Sequence, residues 1–141
     1  MKKTLLTTKI TTMKKILLLL LCWPMIGFGQ NVNIPDPIFK AYLLSIPTIN
    51  TSGDAEIQLT EAAAYNVTIN VSGLGISNLT GIEKFTALDR LNCTNNLLTS
   101  LDVSSNTALV SLQCGNNLLT SLDVSNNTTL TNLACWDNQL T

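Results

Sequence analysis

The chain has 141 residues, no histidine, four cysteines and a formal net charge of −1. That length holds one domain of ordinary size, or one domain behind a processing segment. Without histidine there is no Ser-His-Asp triad, no Cys-His pair and no imidazole metal ligand. The near-neutral balance offers no basic patch for a nucleic acid to neutralise.

The amino end has the pattern of a secretory signal peptide, assigned to residues 1–29. Lys14 and Lys15 precede an apolar run from Ile16 to Phe28, and Gly27 and Gly29 are the small residues before a cut ahead of Gln30. The run has 13 residues, short of the roughly 20 that cross a bilayer. No membrane insertion is therefore expected after cleavage. Met13-Lys14-Lys15 repeats Met1-Lys2-Lys3, which makes Met13 an alternative start. A lipoprotein cut ahead of Cys22 is a rival, but leucine stands where a small residue is wanted. The 112 residues that remain keep Lys40, Lys84 and Arg90 against all nine acids, a net charge of −6. That charge disfavours nucleic acid and anionic membrane as partners.

Residues 30–66 read as an N-terminal helical cap. Asp36-Pro37 predicts a helix through about Ile46, with Phe39, Leu43 and Leu44 on one face, ended by Pro47. A second short helix fits Thr60–Tyr65. Between them, Asn50, Ser52, Asp54, Glu56, Gln58 and Glu61 occupy the ligand positions of a degenerate EF-hand frame, with Ile57 at its eighth position. Asn50 stands where aspartate is usual and Ala55 where glycine is expected. Two readings stand: a cap that keeps the shape without an ion, and a weak calcium site. No other cofactor is called for.

Residues 67–141 repeat. Leu91-Asn-Cys93-Thr-Asn-Asn96-Leu-Leu98-Thr-Ser-Leu101-Asp-Val103 recurs at a spacing of 21, beginning at Leu112 and again at Leu133. A degenerate copy, Ile69-Asn-Val71-Ser-Gly-Leu74-Gly-Ile76, lies 22 residues upstream. Each copy predicts a coil with one short strand, Leu91–Cys93 in the second, sending Leu91 and Cys93 inward and Asn92 outward. Leu98, Leu101, Val103 and Leu109 complete the core. No coil can bury its apolar face alone, so stability comes from stacking, and a cap is needed at the first coil.

These motifs resemble leucine-rich repeats, whose frame L-x-x-L-x-L-x-x-N/C-x-L is matched by Leu88, Leu91, Cys93, Asn96 and Leu98. The short repeat behind a cap resembles the internalin-like type found on bacterial surfaces. The resemblance spans about residues 31–141. It implies an α/β solenoid with short parallel strands. Asn96, Asn117 and Asn138 favour this architecture over a parallel β-helix, because each follows its strand where an amide can bond the backbone of adjoining turns.

Cys93, Cys114 and Cys135 fall on one inward position and predict a ladder of small core residues rather than a disulfide or a zinc site. Asp102 and Asp123 recur in Leu-Asp-Val-Ser and predict a backbone cap at a turn. The outward strand positions form the concave face, the usual platform of the family that the chain resembles. They are Arg90, Asn92 and Thr94; then Ser111, Gln113 and Gly115; then Asn132, Ala134 and Trp136. Trp136 breaks the repeat, either as an exposed anchor or as packing for an adjoining coil beyond residue 141. The sequence stops within a repeat, which predicts a fragment of a longer protein.

The expected function is a secreted or cell-surface, non-enzymatic binding module that holds a protein or glycan partner. The alternative is an accessory or spacer region of a larger secreted protein or enzyme whose other domains lie beyond residue 141.

Overall fold

The computed structural model describes residues 29–141. The leader read at residues 1–29 therefore lies, but for Gly29, outside the described residues.

Asp36 starts helix α1 (Pro37–Leu44). Its Oδ1 accepts the Ile38 and Phe39 amides at 3.0 and 3.1 Å, and Pro37 sits where a helix leaves its amide unused. The helix ends two residues before the expected Ile46. Ser45 closes it, its hydroxyl donating to the Tyr42 carbonyl at 2.6 Å. Helix α2 (Leu59–Ala64) starts one residue earlier than expected, because Glu61 reaches back to accept the Gln58 amide at 3.0 Å. An extended segment runs beside it, with the Val32 amide donating to Ile57 O at 2.8 Å.

Phe39, Leu43, Ile49 and Ile57 are fully buried, and they share one core with Ile69 and Val71 of the first coil. Two polar ties reinforce that junction. The Tyr42 hydroxyl accepts the Asn70 amide at 3.1 Å, covering part of a sheet edge. Asp36 Oδ2 accepts the Ser77 and Asn78 amides at 3.0 and 3.3 Å. Burial opposes ionisation of Asp36, but donors from Phe39, Ser77, Ile38 and Asn78 outweigh it and hold the carboxyl below its ordinary value.

Four strands form one parallel sheet in chain order: β1 (Thr68–Asn70), β2 (Arg90–Asn92), β3 (Ser111–Gln113) and β4 (Asn132–Ala134). Each strand begins one residue before the expected position. The pairing is nevertheless in register with the repeat: Ile69 faces Leu91, Leu91 faces Leu112, and Leu112 faces Leu133. Leu91, Cys93, Leu98, Leu101, Val103 and Leu109 all point into the core. The architecture is an α/β solenoid.

Each coil must turn sharply after its strand. Gly73, Asn95, Asn116 and Asp137 occupy one column there, with φ of 69°, 59°, 51° and 50°. Asparagine, aspartate and glycine tolerate this left-handed conformation best. The next column holds the buried amides. Asn117 Oδ1 accepts the Leu98 amide at 3.1 Å from the coil before. Its Nδ2 donates to Cys93 O of that coil and Cys114 O of its own, both at 3.0 Å. Asn96 and Asn138 repeat the arrangement. One side chain thus satisfies backbone groups that no strand can reach.

A second asparagine ladder lies on the far side of the coil. Asn106 Nδ2 donates to Ile82 O and Phe85 O at 2.8 and 2.9 Å. Asn127 does the same to Val103 O and Asn106 O at 2.9 and 2.8 Å. Both are buried. The pair keeps the 21-residue spacing but lies outside the motif that reveals the repeat.

Candidate functional site

The sheet exposes three rows of side chains. The first holds Thr68, Arg90, Ser111 and Asn132, and the second Asn70, Asn92, Gln113 and Ala134, by strand register. The third, just past the strands, holds Ser72, Thr94, Gly115 and Trp136. Two hollows open between these rows. One, of about 140 Å³, is lined by Arg90, Asn92, Ser111 and Gln113 together with Thr68, Asn70 and Leu91. The other, of about 300 Å³, is lined by Asn92, Thr94, Gln113 and Trp136 with Ser72, Asn95 and Ala134. Asn92 and Gln113 belong to both. Asn132 lines neither and stays in the first row on β4. Thr68, Asn70 and Ser72 were not singled out in the sequence, yet the degenerate copy, 22 residues upstream, places them on this face.

Trp136 has an unexpected seat. A Cβ built on Gly115 would lie 2.6 Å from Cε2, 2.7 Å from Cδ2 and 3.0 Å from Cζ2 of the indole. The ring therefore lies flat on the glycine of the preceding coil. Gly115 is required here for close approach rather than for an unusual φ. Trp136 still exposes 54% of its surface, so its other face is open.

The face is polar and almost uncharged. Arg90 is its one cation, and its Nε pairs with Asp89 Oδ2 at 3.1 Å. Asn92 Oδ1 accepts the Thr94 amide at 3.1 Å. The Asn92 Nδ2 and the Gln113 amide have no intramolecular partner among the described residues.

Beneath the face run Cys93, Cys114 and Cys135, all free thiols, the first two buried and the third half-buried. Burial, then the Cys114 thiol, pushes the Cys93 thiol far above its ordinary value. Burial, then the Cys135 thiol, raises Cys114 to about 11. Both are thus poor nucleophiles and poor metal ligands at neutral pH.

The cap loop closes on its own donors. Asn50 Oδ1 accepts the Ser52 hydroxyl at 3.2 Å and the Gly53 amide at 3.1 Å. Asp54 accepts the Glu56 amide and Gln58 Nε2, each at 2.8 Å. Glu56 pairs with Lys40 Nζ at 2.7 Å. Glu61 accepts the Thr51 hydroxyl at 3.0 Å and the Ser52 amide at 2.8 Å, besides Gln58. Burial opposes ionisation of Glu61, but these donors outweigh it and lower its pKa. Among the described residues, no three Cys, Asp or Glu side chains gather as for a metal ion. Asp102 and Asp123 accept the Ser104 and Ser125 amides at 2.9 and 2.8 Å, closing turns opposite the face.

The fold of stacked coils is shared with solved structures. The functional domain of InlJ from Listeria monocytogenes is 34% identical with a TM-score of 0.63, covering 80% of this chain and 25% of that one. The fold is that of an internalin-like leucine-rich repeat protein. The InlJ domain is described as including a cysteine ladder; the column of Cys93, Cys114 and Cys135 occupies the inward strand-end position here. An internalin, InlF, from the same species is 23% identical with a TM-score of 0.64, covering 83% of this chain and 35% of that one. The chain thus spans a quarter to about a third of the internalin chains that it matches. No protein-family model and no curated protein matches the sequence. Among the described residues, no helix is long and apolar enough to cross a membrane.

Proposed function

We propose that the chain is a secreted or cell-surface binding module whose sheet face holds an extracellular partner without catalysis. The observation that carries this reading is the composition of the face. It presents an open tryptophan and free amides on a rigid parallel sheet, where a side chain on one strand is held by its neighbours. Preorganised anchors of this kind reduce the ordering cost of binding. The non-catalytic reading is supported by the absence of histidine from the chain and by the burial that raises the Cys93 and Cys114 thiols. Secretion is supported by the leader pattern alone. The cap loop is read as an ion-free tie, supported by the protein donors that occupy its carboxylates.

The test is affinity capture from an extracellular-matrix extract. Gln113→Lys, at the centre of the face, is compared with Asp102→Lys on the opposite side. Loss of the captured species with Gln113→Lys and retention with Asp102→Lys is expected. Retention by both, or loss with Asp102→Lys alone, would remove the sheet face as the binding surface.

A further inference from the structure

We propose that Trp136 and the amides beside it form a subsite for a neutral pyranose ring of a glycan. This inference rests on the reading of the sheet face as the binding surface and names its ligand class.

One face of the indole is spent on Gly115, where three ring atoms lie within 3.0 Å of where a Cβ would stand. The other face is open, because 54% of the residue remains exposed. An indole fixed flat in this way is a platform rather than a plug. Its negative π-face attracts the weakly positive C–H groups on the flat side of a sugar ring.

Beside the platform lies the hollow of about 300 Å³, at the small end of ligand sites, which run from roughly 300 Å³ upward. Ala134 shortens the row in which Asn92 and Gln113 stand and leaves room at the ring edge. Asn92 Nδ2, the Gln113 amide and the Thr94 hydroxyl then offer donors and acceptors together. Vicinal hydroxyl groups, each donor and acceptor, are the chemistry that such a set matches.

Charge narrows the class. No residue lining this hollow is ionisable in the neutral range, so an anionic sugar finds no counter-charge. A nucleic-acid base also stacks on tryptophan, but its phosphates need cations. The chain past the leader carries only three basic residues against nine acids. A protein anchor would find apolar walls at an energetic hot spot; here the walls other than Trp136 and Ala134 are amides and hydroxyls.

The test uses the full chain on an array of neutral, sialylated and sulfated glycans. Circular dichroism checks the fold of each variant. Binding to neutral glycans is expected. Trp136→Ala should weaken it at least tenfold, Trp136→Phe less, and Gly115→Ala should weaken it by lifting the indole. No retained neutral glycan, retention of anionic glycans only, or equal retention by Trp136→Ala would overturn the sugar subsite. If the array is negative while Gln113→Lys still abolishes capture from the matrix extract, the face binds a protein and only the ligand class fails. If Gln113→Lys is without effect in both experiments, the binding-face reading itself fails.

Discussion

Cys93, Cys114 and Cys135 are the residues whose chemistry the repeat most clearly decides. A coil wider than its neighbours would break the stack, so the inward strand-end position takes a small apolar side chain. Cysteine fits that requirement, and burial then removes its reactivity. The expected outcome is slow alkylation of Cys93 and Cys114 at pH 8, well below the Cys114 value of about 11. The half-buried Cys135 should react first, and all three on unfolding. Mass spectrometry of the alkylated protein reads this directly; a missing thiol after unfolding without reductant would mean a disulfide and contradict the ladder. This column was legible in the sequence because the 21-residue spacing marks it. The seat of Trp136 was not. Its contact with Gly115 joins two residues of the same repeat position, of which only Trp136 stands out in the sequence. Only stacking shows that the glycine makes room for the indole.

At the scale of elements, the helical cap depends on one carboxylate. Asp36 both starts α1 and bonds the first coil through Ser77 and Asn78. The helix start was legible from Asp-Pro, because capping is local. The tie across 41 residues was not, since no local pattern encodes it. Loss of an N-cap costs about 1 kcal/mol, up to about 2, and Asp36→Ala also breaks the tie to Ser77 and Asn78, so it should destabilise by about 2 kcal/mol in urea unfolding. The sign with pH follows from the lowered pKa values. Asp36 and Glu61 lie below their ordinary values of 3.8 and 4.5 in the folded protein. Their stabilisation is therefore full above those values and is lost as pH falls through the folded ones. Asp36→Asn with Glu61→Gln should be less stable at pH 7 and lose less on acidification from pH 5 to pH 3. Equal losses in the variant and the parent would show that these carboxylates do not hold the cap. The cap loop itself was read with two outcomes open. Its spacing resembles an ion loop because helix–loop–helix shape and ligand spacing share the same frame. The structure adds that protein donors already occupy those oxygens.

For the whole molecule, one periodicity produced most of what could be read. Inward leucines, the buried asparagine column and the parallel order all follow from a period of 21, since each coil can bury its apolar side only against the next. The second ladder, Asn106 and Asn127, has the same period, but its first rung is Phe85, so only two copies exist to compare. The face could be assigned by alternation, while its hollows depend on which neighbours stand side by side. Exposed apolar residues also mark a competing surface. Leu97 and Leu118 are 56% and 42% exposed on the edge beyond the left-handed turns, and such a patch can itself attract partners. Hydroxyl-radical footprinting of the chain bound to its captured partner separates the two surfaces. Trp136 is expected to be protected from oxidation while Leu97 and Leu118 are modified as in the free chain; protection of Leu97 and Leu118 with Trp136 left open would contradict binding through the sheet face.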